Sequence, residues 1–400
     1  MECTLSPETK FDPLDIAHGI PHEGYARLRA EAPISRTPNG SWFLSRQDDV
    51  LAALRDVETF RANFRDPGVV VPDEEMLINE IPEPRHSQVR RVVNSAVAAH
   101  RISDIGQFVR QLTHQLLDEL LPQKHIELVG QLIMPIPNSA IGVLAGVPIE
   151  DHALWAGWSD EVVLGDYPTK NRTERGVGLA GAHPEFAGYI DRQIAEHKAA
   201  ANPPDDFITR LIQTEVDGYR MSDIELRTFL AFLLISGNET TRHMIANIAH
   251  TMASRPDLYE RVRADRSLIP NVVEESLRMD PPIIFLLRET CEDTELGGVH
   301  IKKGERVAFG IASANRDAAY WEDPDDFRLD RPKPSAHLGF GAGPHVCPGS
   351  SLARLEGRTF LEVLCERVAT IELEAGFQWQ KVATFWANGP TALPVTCSAA

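Results

Sequence analysis

The stretch Phe340-Gly341-Ala342-Gly343-Pro344-His345-Val346-Cys347-Pro348-Gly349 decides the reading of this chain. One cysteine follows an aromatic residue, two glycines and a histidine, and a further glycine stands two residues beyond it. Glycines at such spacing let the backbone turn tightly and bring amide N–H groups close to a ligand. Several N–H groups aimed at one sulfur hold it as a thiolate, the form that binds metal. A lone thiolate cannot build a zinc or iron–sulfur centre, which takes several ligands, but it can be the single axial ligand of a haem iron. The plainer reading is a buried cysteine in a glycine-rich turn.

The run resembles the cysteine-loop signature of the cytochrome P450 monooxygenases, Phe-x-x-Gly-x-x-x-Cys-x-Gly, with every fixed position present. That resemblance implies a mainly α fold with a smaller β region and a long central helix over the haem. It implies haem b (iron protoporphyrin IX) as cofactor, Cys347 as the iron ligand, and Phe340, Gly341 and Gly349 around it. Pro348 offers the sulfur no backbone N–H.

Composition sets the class. The chain has 400 residues, is 43% hydrophobic and carries a net charge of −18. A strongly acidic chain has little general affinity for nucleic acid. Its five cysteines (Cys3, Cys291, Cys347, Cys365 and Cys397) are an odd, scattered set, which suits a reducing, cytoplasmic compartment. No apolar run approaches the roughly eighteen residues that a membrane anchor needs. Residues Met1 to Pro13 are polar, unlike a secretory leader. The Pro-containing stretches are short, so one catalytic domain over residues 1–400 is expected. The missing anchor points to the soluble bacterial branch of the resembling family.

Ser41 to Ser45 reads as a strand, Gln47 to Asp56 and Pro84 to Ala99 as helices. Ile102 to Ala200 reads as mainly helical, with breaks near Leu121-Pro122, Gly146 to Pro148 and Tyr167 to Gly178. Ser222-Asp223-Ile224-Glu225 fits a capping box that opens a helix running to about Ser254. That is roughly 30 residues, or about 45 Å, enough to cross a whole domain. Ile283 to Leu287 reads as a buried strand, and Val299 to Ile301 and Arg306 to Phe309 flank a turn at Lys303-Gly304. Ser350 to Val368 is helical, and short strands follow between Thr370 and Val395.

The centre of the long helix reads Ile235-Ser236-Gly237-Asn238-Glu239-Thr240-Thr241-Arg242. Phe232, Ser236 and Thr240 share one face. Glycine in mid-helix costs about 1 kcal/mol, and threonine can bond back to the carbonyl four residues earlier. A weakened turn beside Ser236 would open a groove there. The segment resembles the family's oxygen-binding motif, Ala/Gly-Gly-x-Asp/Glu-Thr-Thr, with Ser236 in place of the usual Ala or Gly. The resemblance makes Thr240 and Glu239 catalytic: Thr240 bonding beside the iron and Glu239 relaying protons from solvent. The plainer reading is an exposed acid beside a back-bonded threonine.

Glu275 and Arg278 resemble the family's Glu-x-x-Arg pair, which implies a buried structural network. Arg331 is the first candidate for its third partner and His337 the second. His86, Arg90, Arg288 and His345 match positions that would meet the haem propionates, with Arg91 the alternative to Arg90. By position in the family, the substrate pocket draws on Phe232, Ile235, Ser236, Ile284, Phe285, Leu286 and Trp386, and on Arg61 to Ile81. Its apolar character suits a lipophilic substrate such as a steroid, a terpenoid or an alkyl or aromatic compound. Tyr167 to Gly178 would form a lid.

No Gly-rich dinucleotide fingerprint and no ferredoxin-like cysteine cluster is present. A separate ferredoxin and ferredoxin reductase would then supply electrons. His100, Arg101, Arg110, Arg354 and Arg358 are candidates for the docking patch. Two other activities remain open: a peroxide-driven hydroxylase or isomerase of the same fold, and a non-catalytic haem protein that senses or sequesters ligands.

Overall fold

The computed structural model describes residues 11–63, 65, 70–97, 99–164 and 178–400, with the backbone alone for 99–102 and 164. The N-terminal part alternates short helices and strands: α1 (His22–Glu31), β1 (Ile34–Arg36), β2 (Trp42–Leu44), α2 (Gln47–Arg55) and β3 (Phe60–Ala62). A helical body follows, with α3 (Arg85–Ala96), α4 (Ala99–Leu120), β4 (His125–Glu127), α5 (Pro135–Ala145), α6 (His152–Leu164), α7 (Gly178–Ala182), α8 (Pro184–Ala199) and α9 (Phe207–Gln213). Then come α10 (Asp223–Ser254), α11 (Pro256–Ala264) and α12 (Ile269–Met279). The C-terminal part holds β5 (Leu286–Thr290), β6 (Thr294–Leu296), β7 (Val299–Ile301), β8 (Arg306–Phe309), α13 (Ile311–Ala314), α14 (Ser350–Arg367), β9 (Val368–Leu373) and β10 (Pro394–Ala399).

The 32-residue helix α10 organises the whole. Its start is fixed by a complete capping box. Glu225 N–H donates to Ser222 Oγ at 3.3 Å, and Ser222 N–H donates to Glu225 Oε2 at 2.8 Å. Its apolar residues lie on all sides, the mark of a buried helix, and it packs against α5, α8, α12 and α14. The helix is unbroken through Gly237. A Cβ there would lie 2.7 Å from Ile141 Cδ1 on α5, so this glycine admits a close helix crossing rather than breaking a turn.

The five-stranded sheet has the order β1-β2-β8-β5-β3, parallel only between β2 and β8. β2 lies between β1 and β8, and its three residues are all buried. A three-stranded sheet, β4-β10-β9, joins the middle of the chain to its end, pairing Glu127 with Pro394. β4 lies inside a stretch that reads as helical, because its partner stands some 270 residues away.

The strand expected over Ile283 to Leu287 begins instead at Leu286. Ile283 forms an isolated bridge with Ala387, and Ile284 N–H donates to Trp386 O at 3.0 Å. These residues pair with the C-terminal hairpin before the chain enters the sheet.

Candidate active site

The cysteine loop is held by its own backbone. Gly341 N–H donates to Leu338 O at 2.8 Å, and Cys347 N–H to Phe340 O at 2.9 Å. Gly341 and Gly343 have φ of 69° and 71°, a region that only glycine enters freely. At Gly343 a Cβ would also come within 2.8 Å of Leu54 O. Gly349 ends the loop and is the first cap of α14, so the start of that helix faces the sulfur. Burial is the largest influence on Cys347 and pushes its thiol up. The Gly349 N–H, Arg90, Arg354 and the Ser350 N–H act the other way, towards thiolate. The ring of Phe340 lies under the Arg354 guanidinium at 4.5 Å.

Around this loop the four expected cationic groups converge. Arg90, from α3, donates to Val346 O at 2.5 Å. Arg288, from β5, is 6% exposed and donates to the carbonyl of its neighbour Leu287 at 2.9 Å. Burial alone pushes its guanidinium down to about 10. The rings of His86 and His345 are 4.2 Å apart. Burial, followed by the charges of His86, Arg288 and Arg90, lowers His345 to about 3. His86 also meets Glu83 at 3.1 Å. Among the described residues, no carboxylate pairs with Arg90 or Arg288. Buried cations left without counter-ions are costly, so the cluster fits a cofactor carrying two carboxylates, such as haem. Arg91 points elsewhere, to the exposed Asp217 at 2.6 Å.

On α10 a cavity of about 370 Å³ opens. Phe232, Ile235, Ser236, Glu239 and Thr240 line it from the helix, Phe285, Leu286 and Arg288 from the β5 region, and Phe385 and Trp386 from the C-terminal hairpin. Ile284 does not. It is fully buried in a small core with Phe43, Ala308 and Ala312. Val162, Val163, Leu179 and Thr228 join the lining without having been anticipated. Thr228 was within reach of sequence reasoning, since it continues the i, i+4 row of Phe232, Ser236 and Thr240 by one step. From the Arg61 to Ile81 segment, Leu77 and Asn79 take part. Residues 167–177 of the expected lid lie outside the described residues.

Glu239 is 3% exposed, so the exposed-acid reading fails. Arg242 Nη2 donates to its Oε2 at 2.6 Å, and His243 Nε2 meets its Oε1 at 3.0 Å. Burial raises this carboxyl, but His243 and Arg242 outweigh it and hold it below the usual carboxylate range. Arg242 also approaches the half-exposed Asp160 at 3.5 Å. Thr240 Oγ1 donates to Ser236 O at 2.8 Å.

Behind the cysteine loop, Glu275 accepts two bonds from Arg278, at 2.8 and 2.9 Å. Arg331 reaches the same carboxylate, and so completes the network as the third partner. His337 instead meets Glu274 at 3.2 Å. The basic patch is less free than its composition suggests. Arg110 pairs with Glu362 and Glu366, and Arg354 donates to both oxygens of Glu274. Arg358 stays 3.9 Å from Glu274 and is partly exposed. The side chains of His100 and Arg101 lie outside the described residues.

Comparison with known proteins agrees with this geometry. Residues 172–368 match the Cytochrome P450 family. The chain is similar to the erythromycin C-12 hydroxylase of Saccharopolyspora erythraea, at 34% identity over 87% of this chain and 87% of the relative. It is also similar to the steroid C26-monooxygenase of Mycolicibacterium smegmatis, at 30% identity over 95% and 93%. Among solved structures it resembles the cytochrome P450 CYP109Q5 from Chondromyces apiculatus, with a TM-score of 0.87 and 30% identity, covering 98% of each chain. CYP109E1 from Bacillus megaterium in complex with testosterone gives a TM-score of 0.83 at 30% identity, covering 94% of this chain and 99% of that one. Among the described residues, no helix is long and apolar enough to cross a membrane. The chain belongs to the cytochrome P450 family and is an oxidoreductase of its haem-thiolate monooxygenase class.

Proposed function

We propose that this chain binds haem b between α10 and the cysteine loop and inserts one oxygen atom from O₂ into a lipophilic small molecule. Haem, when bound, supplies the activation of dioxygen and the oxidising power. Cys347 is the residue that would ligate its iron, in the field of the Gly349 and Ser350 N–H groups. Arg90, Arg288, His86 and His345 would take its propionates. Phe340, Gly341 and Gly349 shape the loop that presents the sulfur.

Thr240 and Glu239 handle protons on the cavity side. The Thr240 hydroxyl donates a hydrogen bond to Ser236 O and keeps acceptor capacity, with which it can hold a water molecule in the cavity. Glu239 is a carboxylate at neutral pH, poised between the cavity and the Arg242–Asp160 side that leads to solvent. It can pick up a proton there and release it inside. Glu275 and Arg278, with Arg331, hold the cysteine side of the fold and touch no reacting atom.

The observation that carries this reading is the convergence of Cys347 with the buried Arg288 and the half-buried Arg90, neither of which has a carboxylate partner among the described residues. The apolar cavity supports a lipophilic substrate of the steroid, terpenoid or alkyl/aromatic kind. The relatives named for erythromycin and for a steroid, and the neighbour holding testosterone, support it too. A ferredoxin with its reductase would deliver the electrons in the cytoplasm, since the sequence holds neither a dinucleotide fingerprint nor an iron–sulfur cysteine cluster. The test supplies NADPH with a surrogate ferredoxin and reductase under isotopically labelled dioxygen. One labelled oxygen atom in the product is expected. Product formed only with hydrogen peroxide would indicate a peroxide-driven hydroxylase. Haem binding without any turnover would indicate a sensor or binding protein.

A further inference from the structure

Glu239 has a second partner that the proton path above does not use. His243 is 1% exposed and lies one turn further along α10. Its Nε2 stands 3.0 Å from Glu239 Oε1, while Arg242 takes Oε2 at 2.6 Å. The other ring nitrogen, Nδ1, is buried and has no hydrogen-bond partner among the described residues. An ionised carboxylate only accepts, so the ring proton belongs on Nε2.

The C-terminal hairpin fixes the ring in that pose. A Cβ on Gly389 would come within 2.2 Å of Nδ1, so bare glycine backbone closes directly over the ring. One turn on, Asn247 Nδ2 donates to Asn388 O at 3.1 Å and to Asp280 O at 2.9 Å, which ties the hairpin to α10. Charged groups reach the pair from three elements: Arg242 from α10, Asp160 from α6 and Lys381 from the hairpin. Lys381 is occupied by the carbonyls of Val382 and Thr384. Burial outweighs the pull of Glu239 and lowers His243 from its ordinary value, so the ring is an uncharged donor at neutral pH. The two oxygens of Glu239 are therefore held differently. Oε2 rests on an arginine that has another acid, Asp160, at 3.5 Å to turn to. Oε1 rests on a ring whose pose the hairpin fixes.

Resting on the reading of Glu239 as a proton carrier, we infer that His243 is its positioning residue: it pins Oε1 through Nε2–H and leaves Oε2 as the oxygen that exchanges protons. Without that donor the carboxylate would lose its fixed end and one of the bonds that keep it ionised.

The test follows the haem-loaded protein in its diamagnetic ferrous–carbonyl form, by NMR of isotopically labelled glutamate carboxyls and histidine rings. Loss of one signal in Glu239→Gln and of one in His243→Gln assigns the pair. The native ring should carry its proton on Nε2 alone from about pH 6 to 8. The Glu239 midpoint should rise in His243→Leu, which removes the donor. It should return towards the native one in His243→Gln, which supplies an amide N–H that does not titrate. Oxygen consumption driven by NADPH, surrogate ferredoxin and reductase, with testosterone as probe ligand, should fall about 10- to 100-fold in His243→Leu, the worth of one bond to a charged group. It should recover in His243→Gln, and in the Glu239→Gln background His243→Leu should add nothing further. A ring protonated on Nδ1, a midpoint that His243→Leu does not move, or an equal loss in both backgrounds would overturn the inference. Should the leucine variant not hold haem, the tautomer of the native ring still decides it. Native oxygen consumption in Glu239→Gln would instead overturn the proton-carrier reading on which the inference rests.

Discussion

Arg331 Nε donates to both carboxylate oxygens of Glu275, at 2.9 and 3.1 Å, across 56 residues of sequence. Arg278 holds the same carboxylate, and both arginines also donate to carbonyls of residues 315 to 326. This network ties α12 to the segment that leads into the cysteine loop.

Removing one partner strands buried charge, which costs about 3–5 kcal/mol. Arg331→Ala and Glu275→Ala should each lower stability by that order and reduce haem content after purification. Urea unfolding of the two single variants and the double variant gives the coupling directly. Additive losses would mean that the pair is not coupled.

Arg288 should matter for cofactor retention. If Arg288 takes a propionate as proposed, replacing it with leucine would remove a charge-assisted bond worth about 1.5–3 kcal/mol. Haem should then transfer to apomyoglobin roughly 10- to 100-fold more readily. Arg91→Leu, which breaks only the exposed pair with Asp217, should leave transfer unchanged.

Glu239→Gln keeps the shape of the side chain and removes its proton chemistry. Product formation should fall by about 100-fold or more, as for the loss of a general acid. Substrate affinity should hold, because the cavity is otherwise intact. A variant with normal turnover would take Glu239 out of the proton path.

Glu274 carries a pH signature. Burial raises its carboxyl, but His337 and Arg354 together bring it down to about 2. A depressed carboxyl stabilises the fold above its unfolded value of 4.5, and that contribution fades as pH falls from there towards 2. The stability gap between the native chain and Glu274→Gln should therefore be constant from pH 7 to about 5 and narrow below. Urea titrations across that range measure it.

Local chemistry made much of the fold legible. The Ser222–Glu225 box marked the start of α10, and the prolines and glycines near 121, 146 and 281 marked real boundaries. Contacts between distant segments were not legible. β4 exists because β10 pairs with it, and Ile283 to Phe285 are drawn to the hairpin at 386–388 rather than into the sheet. In the site, the cysteine loop and the helix motif could be read by spacing. The burial of Glu239 could not, since it depends on how α5, α6 and the C-terminal hairpin close over α10. Nor could the loss of Arg110 and Arg354 to nearby acids, because side-chain pairing across elements leaves no local trace.

The central claim is that Cys347 supplies a thiolate to a haem iron. The direct measurement is the absorption spectrum of the purified, dithionite-reduced protein under carbon monoxide. A Soret band displaced to the long wavelength of thiolate ligation is expected, and it should be lost in Cys347→His, whose band should move to the shorter wavelength of imidazole ligation. A native protein that already shows the shorter-wavelength band, or a Cys347→His variant that keeps the displaced one, would contradict the claim.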